Sequence, residues 1–133
     1  MALVTIASNA SMDAASGGIA PHISDGLLAG EALLAAAPCH IRAADGLVYM
    51  SNGTAANEAA SFAGFTARAT AAGQPVSLFG TGAKFEYAPG LTPGAKLYIG
   101  ATAGRLDTVA SVGDAVGVAR AITSRVIQVT RTI

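Results

Sequence analysis

The sequence has one cysteine and few charged residues, and both shortages exclude classes of function. The single thiol, Cys39, cannot form an internal disulfide framework, and one thiol is too few for a structural zinc site. Lys plus Arg and Asp plus Glu number 8 each, so the chain has no net charge with which to attract nucleic acid or an anionic membrane over a long range. No apolar run approaches the roughly 20 residues that a membrane-spanning helix needs. We therefore expect neither nucleic acid nor a membrane as a partner.

Large side chains are also scarce. The chain has no tryptophan, 3 tyrosines and 4 phenylalanines, whereas 31 of its 133 residues are alanine. A chain of this length suits one domain, but burying small side chains removes little apolar area from water. We therefore expect a thin core and additional stability from association with other subunits.

Residues 1–24 are the least patterned part of the chain. After the apolar residues 3–6 they are small and polar, and Gly17 and Gly18 interrupt them. This composition predicts an extended N-terminal arm with one short strand that contacts a partner or a neighbouring subunit; a frayed tail without a role is the alternative. The first residues lack the basic and long apolar regions of a signal peptide, so synthesis in the cytoplasm is expected.

Residues 25–133 predict an all-β domain, a small barrel or sandwich of short strands. Asp45-Gly46 separates two apolar runs, which favours a hairpin because glycine adopts a positive φ without steric cost. Polar and apolar residues alternate at 96–99 and again at 126–131. Strands of this kind with turns about every ten residues are typical of sandwiches and barrels.

The domain is predicted to consist of two similar halves, at about residues 26–79 and 90–132. Both halves contain the same order of turns and short apolar runs, and Ala103-Gly104 takes the place in the second half that an Asp-Gly turn has in the first. Each half is too short to close a core alone, so we expect the two to pack together.

Some stretches also have helical character. Residues 27–37 have high helix propensity, but Gly30 and the internal repeat favour a strand and a turn there. Residues 55–61 and 114–121 are lesser helix candidates.

Two glycine-rich stretches, residues 80–82 and 100–104, invite comparison with phosphate-binding loops. Neither is followed by the Lys and Ser or Thr of such a loop, and neither lies clearly between a strand and a helix. Both therefore predict hairpin turns.

Groups capable of catalysis are few and form no convincing constellation. His22 with Asp25 and Cys39 with His40 are the two suggestive pairs. Neighbouring residues of a strand point to opposite faces, so Cys39 and His40 cannot form a thiolate–imidazole pair. We expect Cys39 in the core and His40 in solvent or at a subunit interface. Since no histidines have metal-ligand spacing, the sequence predicts no catalytic, cofactor-binding or metal-binding residue.

The remaining polar and aromatic residues have two interpretations each. The arginines are expected at solvated or rim positions, and the alternative is ion pairing across a subunit or partner interface with Asp107 and Asp114. The tyrosines Tyr49, Tyr87 and Tyr98 either fill the core or bind sugars. The arginines are Arg42, Arg68, Arg105, Arg120, Arg125 and Arg131.

Five segments of the chain carry a family resemblance. The segments are AGEAL (29–33), DGLVY (45–49), FAGFTARATAAGQPVSL (62–78), GLTPGAKLYIGATAGRLDT (90–108) and VGVARAITSRVIQVTRT (116–132). The most specific positions are Pro93, Gly94, Leu97, Tyr98, Gly104, Leu106, Val116, Gly117 and Ala119. Together these segments resemble the capsid cement, or head decoration, proteins of tailed bacteriophages. The resemblance covers about residues 26–133 and leaves out the N-terminal arm.

This resemblance implies a structural virion protein without enzymatic activity. It implies a homotrimer, without a cofactor, that binds the outer surface of a phage head and stabilises the lattice of the major capsid protein. The alternative is a trimeric tail-fibre or receptor-binding β module, in which exposed tyrosines would bind sugars. A small hydrolase is a third, less favoured, interpretation.

Overall fold

Strands dominate the protein. The computed structural model describes residues 3–6, 26–54 and 57–131. Within these ranges the chain forms nine strands in two antiparallel sheets, and its only helix is a single 3-10 turn, so the all-β prediction is confirmed. The first sheet contains β1 (Pro38–Ile41), β2 (Val48–Met50), β3 (Gly64–Thr66) and β4 (Leu78–Phe79). The second contains β5 (Lys84–Glu86), β6 (Lys96–Ile99), β7 (Leu106–Asp107), β8 (Ala119–Ala121) and β9 (Val126–Val129).

The two sheets share one strand order. The first sheet has the order β2-β1-β3-β4, and the second has the order β7-β6-β8-β9 with β5 added beside β9. Both sheets therefore contain a hairpin at one edge, β1-β2 in the first and β6-β7 in the second. In each hairpin the first strand also pairs with the strand that follows the hairpin, β3 or β8. The hairpin turns agree as well, because Gly46 and Gly104 have φ values of 70° and 78°. The order of elements that repeats along the sequence thus has a counterpart in the order of the strands.

A core cluster joins the two sheets. Phe65 of β3 and Phe85 of β5 meet edge to face with ring centroids 5.3 Å apart, and Tyr87 beside them is fully buried. A second, smaller cluster contains Cys39 and Leu78 and belongs to the first half of the chain. The described residues therefore form a sandwich-like arrangement and no closed barrel.

Residues 27–37 contain no helix. Ala29 bridges Val48 of β2, and Leu33 and Thr70 exchange two backbone hydrogen bonds of 2.8 and 3.0 Å. These bonds satisfy backbone groups that a helix would pair internally. The preferred prediction of a strand and a turn is confirmed in outline: the segment forms single bridges instead of a regular strand, and residues 35–36 form a turn in which Ala36 has a φ of 54°.

Both lesser helix candidates differ from the prediction. Only Glu58–Ala60 forms a short 3-10 turn, and Asn57 caps it by accepting a hydrogen bond from the Ala59 N–H at 2.9 Å; residues 55 and 56 lie outside the described ranges. Residues 114–121 hold no helix. Gly117 has a φ of 97°, which is incompatible with a right-handed helix, and the chain then enters β8.

Residues 3–6 are the part of the predicted N-terminal arm that lies within the described ranges. Leu3 bridges Asp107, and the Val4 N–H donates to the Leu106 carbonyl at 2.9 Å, so this segment lies along β7. Val4 is only 8% exposed and belongs to the core that both sheets share. Contact of the arm with a partner stays a prediction.

The two glycine-rich stretches turn the chain in different ways. Residues 100–104 connect β6 to β7, and the Gly100 N–H donates to the Arg105 carbonyl at 2.8 Å, which confirms the predicted hairpin. Residues 80–82 connect β4 to β5, which belong to different sheets. The hairpin prediction is therefore wrong for residues 80–82.

Candidate interaction surface

Cys39 lies in the core, as predicted. Its side chain is fully buried, and its Sγ donates to the Ala37 carbonyl at 3.4 Å. Burial, and secondarily the charge of Glu31, raises the pKa of the thiol. The thiol is therefore protonated at neutral pH, and it is not a nucleophile.

His40 does not face solvent, in contrast to one of its two predicted positions. It is 5% exposed, and its ring stacks on Tyr49 of the neighbouring strand with centroids 6.1 Å apart. The Nδ1 atom has no hydrogen-bond partner among the described residues. Burial lowers the pKa of His40 in spite of the opposing charges of Glu58 and Glu31, so the imidazole is neutral at pH 7.

The other pair of candidate catalytic residues, His22 and Asp25, lies outside the described residues. Among the residues that the structure describes, no three His, Cys, Asp or Glu side chains come together in a way that could hold a metal ion. In the same ranges, no helix combines the length and the hydropathy needed to cross a bilayer.

The described residues contain three ion pairs. The two carboxylates proposed to reach a partner, Asp107 and Asp114, are 0% and 1% exposed. Asp114 is bound to Arg131 of the same chain, and an Asp107 oxygen accepts from the Val109 N–H at 3.0 Å. Ion pairing of these two carboxylates across an interface is therefore wrong, because neither reaches the surface. The two other ion pairs are Arg42 with Asp45 and Arg125 with Glu86.

The three tyrosines have different environments. Tyr87 fills the core, and its hydroxyl oxygen accepts from the Leu106 N–H at 3.2 Å. Burial raises its pKa to about 12. Tyr49 and Tyr98 are half-buried. The Tyr49 ring lies under the Arg42 guanidinium, 4.1 Å from the ring centroid, and its hydroxyl donates to Asp45 at 2.9 Å.

The most exposed large hydrophobic residues of the described chain are concentrated between β7 and β8. We call residues 108–117 the valine loop. Val109, Val112 and Val116 in this loop are 51%, 78% and 69% exposed. Val112 lies at the tip of a tight turn closed by two backbone hydrogen bonds between Ser111 and Asp114. The loop therefore presents three aliphatic side chains to solvent.

A buried carboxylate fixes this loop to the second sheet. Asp114 accepts from the N–H groups of Ile99 and Gly117 at 2.8 Å each and from that of Val116 at 3.2 Å. Its fourth partner is the Arg131 guanidinium. Charge-assisted hydrogen bonds of this kind are about twice as strong as neutral ones, so the loop has a defined conformation in spite of its exposed tip.

Two further sets of contacts hold the valine loop in place. Within the second half, the Ser111 hydroxyl donates to the Ile99 carbonyl at 2.8 Å. The other set involves Gly53 of the first half. Gly53 donates to the Gly100 carbonyl at 2.8 Å and accepts from the Gly113 N–H at 2.9 Å. A β-carbon on Gly53 would overlap Ser111 and the Ile99 carbonyl, so only glycine allows this close approach.

Sequence reasoning placed Asp114 in the wrong role and did not identify the valine loop. A usable signal was the segment Asp114-Ala-Val-Gly117, because an Asp side chain that accepts from the backbone two and three residues later favours a turn over a helix. The arrangement offers apolar contact area on a rigid base and no reactive group. It is suited to binding another macromolecule.

The chain matches no protein-family model, and no curated protein shows significant similarity to it.

Proposed function

We propose that the protein is a structural component of a virion, a decoration protein that binds the outer surface of a phage head and stabilises the lattice of the major capsid protein. It is not an enzyme under this proposal. The observation that carries the proposal is the valine loop, which exposes Val109, Val112 and Val116 on a rigid base. Exposed apolar side chains grouped in this way are typical of protein interaction sites.

The residues that carry the sequence resemblance support a scaffold role. Leu97, Leu106 and Ala119 are at most 1% exposed, and Gly104 and Gly117 have φ values of 78° and 97°. These positions define core and turns and supply no reactive group. Val116, another of these positions, is instead exposed in the valine loop. A β scaffold whose specific residues serve mainly packing and turns is what the resemblance to cement proteins implies.

Self-association as a homotrimer is part of the proposal. Besides the valine loop, four large hydrophobic residues of the described chain are at least 40% exposed: Leu3, Leu28, Leu34 and Ile122. Burying them between copies would compensate for a core rich in alanine. Sedimentation velocity distinguishes a trimer from a stable monomer, and a monomer at micromolar concentration would contradict this part of the proposal.

The head-binding proposal is tested with virions that have or lack a functional copy of the gene. Electron cryomicroscopy should show additional density on the outer face of the head only when the protein is present, and virions that lack it should release DNA at a lower temperature. Many identical weak contacts over a shell produce such stabilisation by mass action. Density at the tail, or no difference between the particles, would refute the proposal.

Two substitutions test whether the protein binds the head through the valine loop. Val112→Asp should weaken binding of the purified protein to expanded heads by about tenfold, because it places a charge in an apolar contact. Ala72→Asp, which introduces the same charge at an exposed alanine of the first half outside the valine loop and outside the proposed trimer contacts, should bind like the wild type. Equal binding of all three proteins would show that the valine loop does not contact the head.

The alternative function, a receptor-binding module that binds sugars, is less well supported because the Tyr49 ring is covered. Sugars stack on uncovered aromatic rings, but Arg42 covers this ring and a β-carbon on Gly30 would overlap it. A glycan array that identified a ligand lost on Tyr98→Ala would favour the alternative.

A further inference from the structure

The outer face of the second sheet carries a row of cations. Side chains alternate along its strands, so that Leu97 and Ala119 are buried whereas Lys84, Lys96 and Arg120 are exposed. The strand register places Lys96 opposite Arg120, Arg120 opposite Gln128, and Gln128 opposite Lys84. With neighbouring strands about 4.8 Å apart, this row crosses four strands over roughly 15 Å. We call Lys84, Gln128, Arg120 and Lys96 the cation row.

No carboxylate of the described residues neutralises the cation row. None of the three ion pairs in these residues includes a member of the row. Glu86 lies on the same face of β5, but it is bound to Arg125 at 2.7 Å. Like charges directly opposite each other on paired strands repel, and the fold nevertheless places Lys96 beside Arg120 in a chain with no net charge. The row is therefore a local positive surface on a neutral protein.

The valine loop borders one end of this row. A surface depression of about 400 Å³ is lined by Lys96 and Arg120 on one side and by Val116 on another. Arg131 also lines the depression and is held there by Asp114. Unpaired cations and an exposed aliphatic side chain thus lie around the same concave surface.

We propose that the cation row and the valine loop form one docking face for an acidic protein surface, in which carboxylates lie beside an apolar side chain. Carboxylates would form charge-assisted hydrogen bonds with Lys96 and Arg120, and the apolar side chain would contact Val116. A nucleic acid would use the cations but would leave the valines without an apolar complement, and three cations on a neutral chain neutralise few phosphates. The inference goes beyond capsid decoration, because it requires only an acidic protein partner; if the decoration function holds, the capsid surface supplies the carboxylates.

The test is an NMR titration of the isotope-labelled full chain at low salt, where exposed charges are least screened. The probes are a short glutamate-rich peptide with a central leucine, its lysine counterpart, and a thymidine oligonucleotide of equal length. We expect the glutamate peptide to shift amide resonances of β5, β6, β8 and the valine loop, and the lysine peptide to shift none of them. Salt should weaken the binding.

Matched charge reversals show whether the row itself binds. Arg120→Glu should weaken binding of the glutamate peptide by about tenfold. Arg68→Glu, the same charge change at an exposed arginine outside the row, should weaken it by less than about twofold. Unchanged amide spectra elsewhere in the sheet would show that both variants fold.

Three outcomes would overturn the inference: no shifts with the glutamate peptide, equal losses for the two variants, or tighter binding of the oligonucleotide at the same resonances. Failure of the capsid proposal is a separate result. A protein whose cation row binds the acidic peptide but which does not bind heads retains the docking face and loses the decoration function. A protein that binds heads equally well with and without Arg120→Glu, and that shows no shifts with the glutamate peptide, retains the decoration function and loses the docking face.

Discussion

Replacing Asp114 by alanine would remove the group that holds the valine loop to the second sheet. The carboxylate is 1% exposed and accepts hydrogen bonds from three backbone N–H groups, those of Ile99, Val116 and Gly117. A buried donor left without an acceptor costs about 1–3 kcal/mol. Water can reach part of the site, because the side chain of Arg131 is 25% exposed. We therefore expect a total loss of about 3 kcal/mol in the free energy of unfolding.

This loss can be converted into a melting temperature. With an unfolding entropy of roughly 2.1 cal/mol/K per residue, a loss of that size in a chain of 133 residues lowers the Tm by about 10 °C. Thermal and urea unfolding followed by circular dichroism measure both quantities. Glu86→Ala is the matched control, because it removes the carboxylate of an exposed ion pair with Arg125 and should cost less than about 1 kcal/mol. If Asp114→Ala costs no more than Glu86→Ala, the Asp114 carboxylate does not hold the loop.

Three further predictions concern single positions. Gly53→Ala should destabilise the fold by about 2–3 kcal/mol, because a β-carbon would overlap the Ile99 carbonyl oxygen, a backbone atom of β6. Gly73→Ala, at a positive φ in open space, should cost about 1 kcal/mol; equal losses in urea unfolding would show that the close approach at Gly53 contributes nothing. Cys39 should resist an aromatic disulfide reagent in the native protein and react fully in urea, and rapid labelling of the native protein would contradict its burial. For His40 the pKa is lowered on folding from 6.5, so the unfolded state binds more protons and stability falls as the pH decreases below that value. The urea midpoint should therefore drop between about pH 7.5 and about pH 5.5 more in the wild type than in His40→Gln, and equal drops would refute the assignment.

Much of the fold was predictable because its signals are local. The Asp45-Gly46 turn and the alternation at Lys96–Ile99 predicted β-structure where hairpin strands occur. Alternation and turn glycines determine the backbone conformation within a few residues. They therefore indicate strands and turns even where the mean hydropathy of the chain does not. The Ala-rich stretch 27–37 shows the competing effect. Its high helix propensity is overridden by backbone pairing with Val48 and Thr70, which are distant in sequence.

The candidate surface was less predictable because exposure depends on tertiary neighbours. His40 was expected in solvent or at a subunit interface, but Tyr49 on the paired strand covers it. Asp114 was considered as an interface carboxylate, but its side chain is buried at the base of the valine loop. The cation row depends on strand register, which places Lys96 opposite Arg120 although 24 positions separate them in the chain. No local pattern encodes such an alignment.

The chain covers the hairpin edge of each sheet with its own backbone. Residues 3–4 lie along β7, and residues 28–30 pair with Val48 of β2 through hydrogen bonds of 2.8 and 3.0 Å. The opposite edges, β4 and β5, are only two and three residues long. Unprotected edges recruit further strands and lead to fibrous aggregation. Within the described residues, the fold therefore leaves no long strand edge on which a second copy of the chain could add a strand.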